Sequence, residues 1–175
     1  MYVPYGVVLL PSRQTRARFA AFAAAVAGPS PAHVLGSRAP AHVSVAHFDG
    51  SPAQAASLSA RVSARTLPVK IIGLLYAITP PGDYYFPAGG VYFGLEVVRR
   101  PSLDALHREV LGWIRDAGAT PLGQVGDDFR PHVTLGLAES PALPAWPDIP
   151  RGEFDATLAF GELGPYGTFP GLAGA

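Results

Sequence analysis

Ala41-His42-Val43-Ser44-Val45-Ala46-His47-Phe48 and Phe129-Arg130-Pro131-His132-Val133-Thr134-Leu135-Gly136-Leu137 are two copies of one pattern. Each contains the run His, apolar, hydroxyl, apolar. Side chains on a β-strand alternate with a period of two, so His and Ser/Thr at i and i+2 share a face. The intervening Val and Leu then anchor the opposite face. On this alternation Ala46 and Gly136 follow the hydroxyls as small residues that leave room in a cleft. His47, five residues from His42, falls on the other face. Two copies, roughly half the chain apart, predict two half-sites that face each other. Two imidazoles with hydroxyl helpers can carry acid–base chemistry on a phosphodiester. The competing reading makes His42 and His132 ordinary strand residues near a sheet edge.

The segments around the motifs read as an α+β chain. Tyr5–Leu10 predicts a first strand. Phe19, Phe22, Ala23 and Val26 recur at helical spacing behind the N-cap candidates Ser12 and Thr15, with Gly28 and Pro29 as the stop. Ala41–Phe48 is the second strand. Ser51-Pro52-Ala53-Gln54 has the residues of a capped helix start, and Ala55, Leu58 and Val62 give its buried stripe. Strands follow at Val69–Ile78 and Gly90–Val98, separated by the turn Pro80-Pro81-Gly82-Asp83. A third helix opens at Ser102, buries Leu103, Leu106, Val110, Ile114 and Ala117, and stops at Gly118. Phe129–Leu137 and Phe154–Leu163 are the last strands. Ser140–Pro150 is a Pro-rich connector and Gly164–Ala175 a Gly-rich tail. This order predicts a duplicated α+β unit around a pseudo-two-fold, with antiparallel pairing.

Composition narrows the function classes. The chain has 175 residues and 49% hydrophobic content, enough for one core and a single domain spanning residues 1–175. Thirteen Lys plus Arg balance thirteen Asp plus Glu, which argues against a broad nucleic-acid footprint but not against a small phosphorylated ligand or an RNA end. No Cys is present, so disulfides and thiolate metal sites are excluded. His33, in a Pro-flanked loop, and His107, near the apolar stripe of the third helix, lack metal-ligand spacing, so neither a metal nor a cofactor is expected. The apolar run Val7–Leu10 is too short for a signal or a membrane span. The expectation is a cytoplasmic monomer with no membrane or protein partner, and the Ala, Gly, Pro and Arg content suits a GC-rich bacterial genome.

The paired His-x-Ser/Thr-x strings, with RPHVTLG around the second, resemble the 2H phosphoesterase superfamily. The nearest branch is the bacterial 2′-5′ RNA ligase-like and cyclic phosphodiesterase proteins. YGVVLLPS…FAAFAAAVAG near the start and FGELGPYG near the end are similar to that branch too. Ser44 stands where the family more often has Thr, and no Arg or Lys follows the second copy. The resemblance implies a bilobal fold whose antiparallel sheets line a central groove, with helices packed outside. It implies metal-independent hydrolysis of 2′,3′-cyclic phosphodiesters of nucleotides or RNA ends, and reversal of that reaction would give 2′-5′ RNA ligation.

In that reading His42 and His132 are the acid and base, in an order the sequence leaves open. Ser44 and Thr134 donate to the phosphate oxygens. Arg130 is a candidate phosphate partner or a solvent-facing strand start. Tyr85, within Tyr84-Tyr85-Phe86, is a candidate base-stacking residue or a core-packing one. Tyr166 is a candidate groove residue from the tail. Lys70 is given no role, and Asp127-Asp128 read as a solvated turn. A non-catalytic nucleotide- or RNA-end-binding module using the same groove is the alternative function.

Overall fold

The computed structural model describes residues 3–27, 33–36, 38–138 and 148–175. The predicted helix stop at Gly28-Pro29 and most of the Ser140–Pro150 connector lie outside them. The elements run β1 (Val3–Pro11), α1 (Arg13–Val26), β2 (His33–Val34), β3 (Val43–Gly50), α2 (Pro52–Ser59) and β4 (Thr66–Thr79). The second half continues β5 (Gly90–Val97), α3 (Pro101–Asp116), β6 (Thr120–Leu122), β7 (His132–Ala138) and β8 (Gly152–Glu162). Short β2 and β6 carry too few residues to show an alternation and were not predicted. Among the described residues no helix is long and apolar enough to cross a membrane.

Helix ends follow local chemistry. Ser12 caps α1 by accepting the Thr15 N–H at 3.2 Å. At α2, Ser51 and Gln54 form a reciprocal capping box: the Ser51 N–H donates to Gln54 Oε1 at 2.7 Å, and the Gln54 N–H donates to Ser51 Oγ at 3.3 Å. Val62 packs on the core from beyond the helix end. Helix α3 starts before the predicted Ser102. Pro101 takes its first position, where a missing N–H costs nothing, and Arg100 precedes it without a side-chain cap. Gly118, at φ 67°, ends that helix in the left-handed conformation.

All eight strands form one antiparallel sheet in the order β2-β7-β5-β4-β8-β1-β3-β6. The predicted duplication is visible in that order. A two-fold through the β4–β8 pair exchanges β5 with β1, β7 with β3, and β2 with β6. The halves also trade elements. The first half's β2 pairs with β7, and the second half's β6 pairs with β3. Helix α1 packs near β7 while α3 packs near β3. The two half-sheets therefore join edge to edge through β4 and β8, where Thr66–Ile71 pairs with Gly152–Thr157.

The helices cover one face. Beneath them lies the main core, which includes Phe19 of α1, Val43 and Val45 of β3, Leu95 of β5, Val110 and Ile114 of α3, and Val133 and Leu135 of β7, each no more than 1% exposed. Burying such a side chain contributes roughly 1.5–3 kcal/mol. A second, smaller cluster of Val8, Leu163 and Phe169 sits on the other face. The tail is thus part of the fold, since Phe169 is fully buried there.

Candidate active site

The two motif histidines are held alike. His42 lies just before β3, and its Nδ1–H donates to the Pro40 carbonyl at 2.9 Å. His132 opens β7, and its Nδ1–H donates to the Arg130 carbonyl at 2.8 Å. A carbonyl can only accept, so Nδ1 carries the proton in each neutral ring and Nε2 keeps its lone pair.

The hydroxyls sit beside matching irregularities in the sheet. In the β1–β3 pair the register slips between Val7↔Ala46 and Val8↔Ser44, so Val45 is the extra residue. In the β5–β7 pair it slips between Phe93↔Gly136 and Gly94↔Thr134, so Leu135 is the extra residue. These are β-bulges at equivalent places in the two halves. The second demands Gly94, because a Cβ there would stand 2.6 Å from the Val133 carbonyl oxygen.

The bulges overturn one expectation from simple alternation. Past each extra residue the strand faces swap. Ala46 packs into the helix-side core and also borders the groove beside Ser44. His47 turns to the same side as Ser44, three residues away, with Nε2 2.9 Å from Ser44 Oγ. His47 therefore faces the groove, where strict alternation places it on the opposite face. A bulge is set by cross-strand register, which no two-residue periodicity in the sequence reveals.

A cavity of about 440 Å³ opens on this face, within the range of small-ligand sites. Ser44, Thr134, His132, Arg130, Tyr85 and Tyr166, all named from sequence, line it, and His47 joins them. His42 does not line it. Its ring is 7% exposed and packs edge-on against Phe169, with centroids 4.9 Å apart. Arg130 is exposed at the groove and precedes β7, rather than sharing the strand face of His132. Tyr85 is fixed by the turn before it, where Asp83 Oδ1 accepts the Tyr85 N–H at 2.8 Å and the Phe86 N–H at 3.0 Å. Its hydroxyl lies 2.7 Å from His47 Nδ1. Buried Phe86 stacks between Tyr166 and Tyr92, and Tyr92 tilts against His132. Tyr166 adopts a left-handed φ of 59°, unusual for a side chain of its size.

Burial sets the electrostatics. Desolvation pushes the His42 pKa down to about 4 against the help of the Pro40 carbonyl, and the nearby His132 adds to the fall. The Gly167 carbonyl beside the His42 ring works the other way. Desolvation, followed by the neighbouring His42 and His132, lowers His47 to about 3. His132 is lowered as well, by desolvation and by the Arg130 charge, with the Arg130 carbonyl opposing. All three rings are neutral at pH 7, and an anion placed among them would raise every one. Burial, then Tyr84, Asp83 and Asp49, pushes the Tyr85 phenol up, so its proton stays in place.

The remaining sequence candidates are structural. His107 is fully buried, stacks on Phe129 with centroids 3.9 Å apart, donates to the Val45 carbonyl at 2.6 Å and accepts the Gly126 N–H at 2.9 Å. Asp127 is exposed and pairs with Arg108 at 2.8 Å. Lys70 is exposed on β4. His33 falls in β2. Among the described residues no group of three or more His, Asp or Glu could hold a metal. Phe169 was not singled out from sequence. An aromatic in a Gly-rich tail carries no periodicity to mark it as the residue that walls off His42.

No protein-family model matches the sequence, and no curated protein matches it. Solved structures do match in shape. Escherichia coli LigT complexed with ATP superposes with a TM-score of 0.58 at 14% identity, over 91% of this chain and 87% of that one. The MHV ns2 PDE domain gives 0.54 at 12% identity, over 91% and 99%. A structure described as a phosphoesterase gives 0.55 at 14% identity, over 91% and 87%. At such identities the likeness is one of architecture: the chain has the α+β fold of LigT and the MHV ns2 PDE domain.

Proposed function

We propose that this chain is a 2H phosphoesterase that hydrolyses 2′,3′-cyclic phosphodiesters of nucleotides or RNA ends without a metal. Water adds in line to phosphorus, one ester P–O bond breaks, and the ring opens to a phosphomonoester and a free hydroxyl. One imidazole takes the proton from water and the other returns one to the leaving oxygen. Ser44 and Thr134 donate to the non-bridging oxygens, where charge builds in the transition state. Arg130 at the groove adds a guanidinium suited to a phosphate. With the 5′-hydroxyl of a second RNA end attacking phosphorus in place of water, the same ester P–O bond breaks and the same residues would join the two ends.

The observation that carries this reading is the paired geometry. Two equivalent bulges each present a hydroxyl beside an imidazole whose Nδ1 is tied to the carbonyl two residues back. Because burial keeps the rings neutral, the acid gains its proton together with the anionic substrate. The solved LigT complexes with ATP, NADP+ and phosphate are consistent with a nucleotide-sized ligand in this fold. One feature favours the second reading, a nucleotide- or RNA-end-binding module: His42 sits behind the cavity against Phe169 rather than on its surface.

The test is turnover of 2′,3′-cyclic nucleotides in EDTA by the full chain, His42→Ala and His132→Ala. Metal-free turnover that falls by roughly 10²–10⁴-fold in each variant supports the enzyme. Binding without turnover supports the module. Turnover that chelation abolishes and a divalent ion restores, or that survives both substitutions, refutes the two-histidine mechanism.

A further inference from the structure

The two halves of the groove are alike in fold, bulge and imidazole anchoring, yet they differ behind the hydroxyls. Ser44 Oγ touches His47 Nε2 at 2.9 Å, and His47 Nδ1 touches the Tyr85 hydroxyl at 2.7 Å. At the matching place after the second bulge stands Leu137, and among the described residues Thr134 makes no side-chain hydrogen bond. The three-member chain is built into the sheet. Gly6 lies opposite His47 on β1, and a Cβ there would stand 2.8 Å from the His47 ring, so glycine makes the space. The His47 ring is 8% exposed and rests on Phe169. Asp83 fixes the backbone that brings Tyr85 to it.

We propose that His47 is a positioning residue that fixes the Ser44 hydroxyl as a dedicated proton donor to the bound phosphate, with Tyr85 as the head of the chain. This deepens the phosphoesterase reading and rests on it. A neutral imidazole carries one N–H, so the chain has two polarities. In one, Ser44 donates to Nε2 and offers the groove only lone pairs, which repel an anion. In the other, Tyr85 donates to Nδ1, Nε2–H donates to Ser44, and the Ser44 proton is left for a phosphate oxygen. An anion selects the second. Each donor in such a chain strengthens the next. The phenol keeps its proton at neutral pH, so the head of the chain is always loaded. Ser44 is thereby the fixed contact and Thr134 the adjustable one, an asymmetry that sequence symmetry hides. His47 and the motif imidazoles then use opposite tautomers: Nε2–H for His47, Nδ1–H for His42 and His132.

Two measurements on the full chain test this. Histidine ¹H–¹⁵N correlation spectra recorded with inorganic phosphate read the tautomers directly and need no variant to fold. The expected result is Nε2–H at His47, and Nδ1–H at His47 in the loaded protein overturns the proposal. Steady-state kinetics on a 2′,3′-cyclic nucleotide use His47→Leu, which copies the other half, alone and on Ser44→Ala. The expected result is a loss in kcat of about tenfold for His47→Leu, the worth of one well-aligned hydrogen bond. That loss shrinks to within about twofold on Ser44→Ala, because His47 acts through Ser44. Tyr85→Phe moves in the same direction by less, and His47→Gln, which keeps a donor to Ser44, recovers part of the loss. A full tenfold loss that persists on Ser44→Ala overturns the proposal. A wild-type chain that turns over substrate with His47→Leu matching it sinks the relay alone. A wild-type chain that neither binds phosphate nor turns over sinks the phosphoesterase reading along with it.

Discussion

Gly6→Ala is the most demanding test of how the groove wall is built. The added Cβ would stand 2.5 Å and 2.9 Å from Phe169 ring atoms and 2.8 Å from the His47 ring. Phe169 is fully buried and touches both His42 and His47, so it has nowhere easy to go. Gly6 has no positive φ, so alanine meets no backbone strain there and gains about 0.4–1 kcal/mol through the unfolded chain. Overpacking costs about 1–3 kcal/mol. With three contacts under 3 Å, the upper half of that range applies, and the net loss is about 1–2 kcal/mol. For a chain of this size that lowers Tm by about 2–8 °C. Denaturant melts of Gly6→Ala, Phe169→Leu and the double variant check the cause. If Phe169 is what the new methyl strikes, the double variant loses less than the sum of the singles by at least 0.5 kcal/mol, a coupling typical of touching residues. A neutral Gly6→Ala, or strict additivity, would refute the packing argument.

Two further perturbations follow from the buried histidines. Folded pKa values near 4 for His42 and near 3 for His47, and a lowered one for His132, mean that the unfolded chain takes up protons first as pH falls below about 6.5. The stability that His42 and His47 contribute is complete above that point and declines as pH falls toward about 4 for His42 and about 3 for His47, by up to about 1.4 kcal/mol per pH unit for each of these two rings, with His132 acting in the same direction. Denaturant midpoints at pH 7.5 and 5 measure it, and equal midpoints would contradict the burial. His107→Leu leaves the Val45 carbonyl and the Gly126 N–H unpaired beneath α3. The expected cost is about 2–4 kcal/mol, with weakened substrate affinity because residues 126–130 lead into Arg130 and His132. A loss under 0.5 kcal/mol would show that the imidazole is replaceable packing.

Strands and helices were legible wherever the side chains repeat. Phe19, Ala23 and Val26 mark α1, and Val43, Val45, Val133 and Leu135 mark the covered side of the motif strands. Of the candidate site, Ser44, His132 and Thr134 line the groove as a two-residue strand spacing suggests, whereas His42 lies behind it against Phe169. The rest depends on partners distant in the chain. His47 was assigned to the wrong side because the slip at Val45 arises from pairing with β1. Tyr85 reaches His47 from a turn nearly forty residues on, and Phe169 seals His42 from a tail with no regular pattern. Helix α3 begins one residue before Ser102 because Pro101 starts it by its fixed φ.

The two walls of the groove belong to one continuous sheet. Spreading the two half-sheets would strip the six residue pairs between Thr66–Ile71 and Gly152–Thr157. The gap between the two walls is therefore set by sheet register, as teeth set the spacing of a zip, and not by domain closure. Ligand choice falls to the side chains that line the groove, Arg130 and Tyr166 among them, whose backbones lie outside the paired strands.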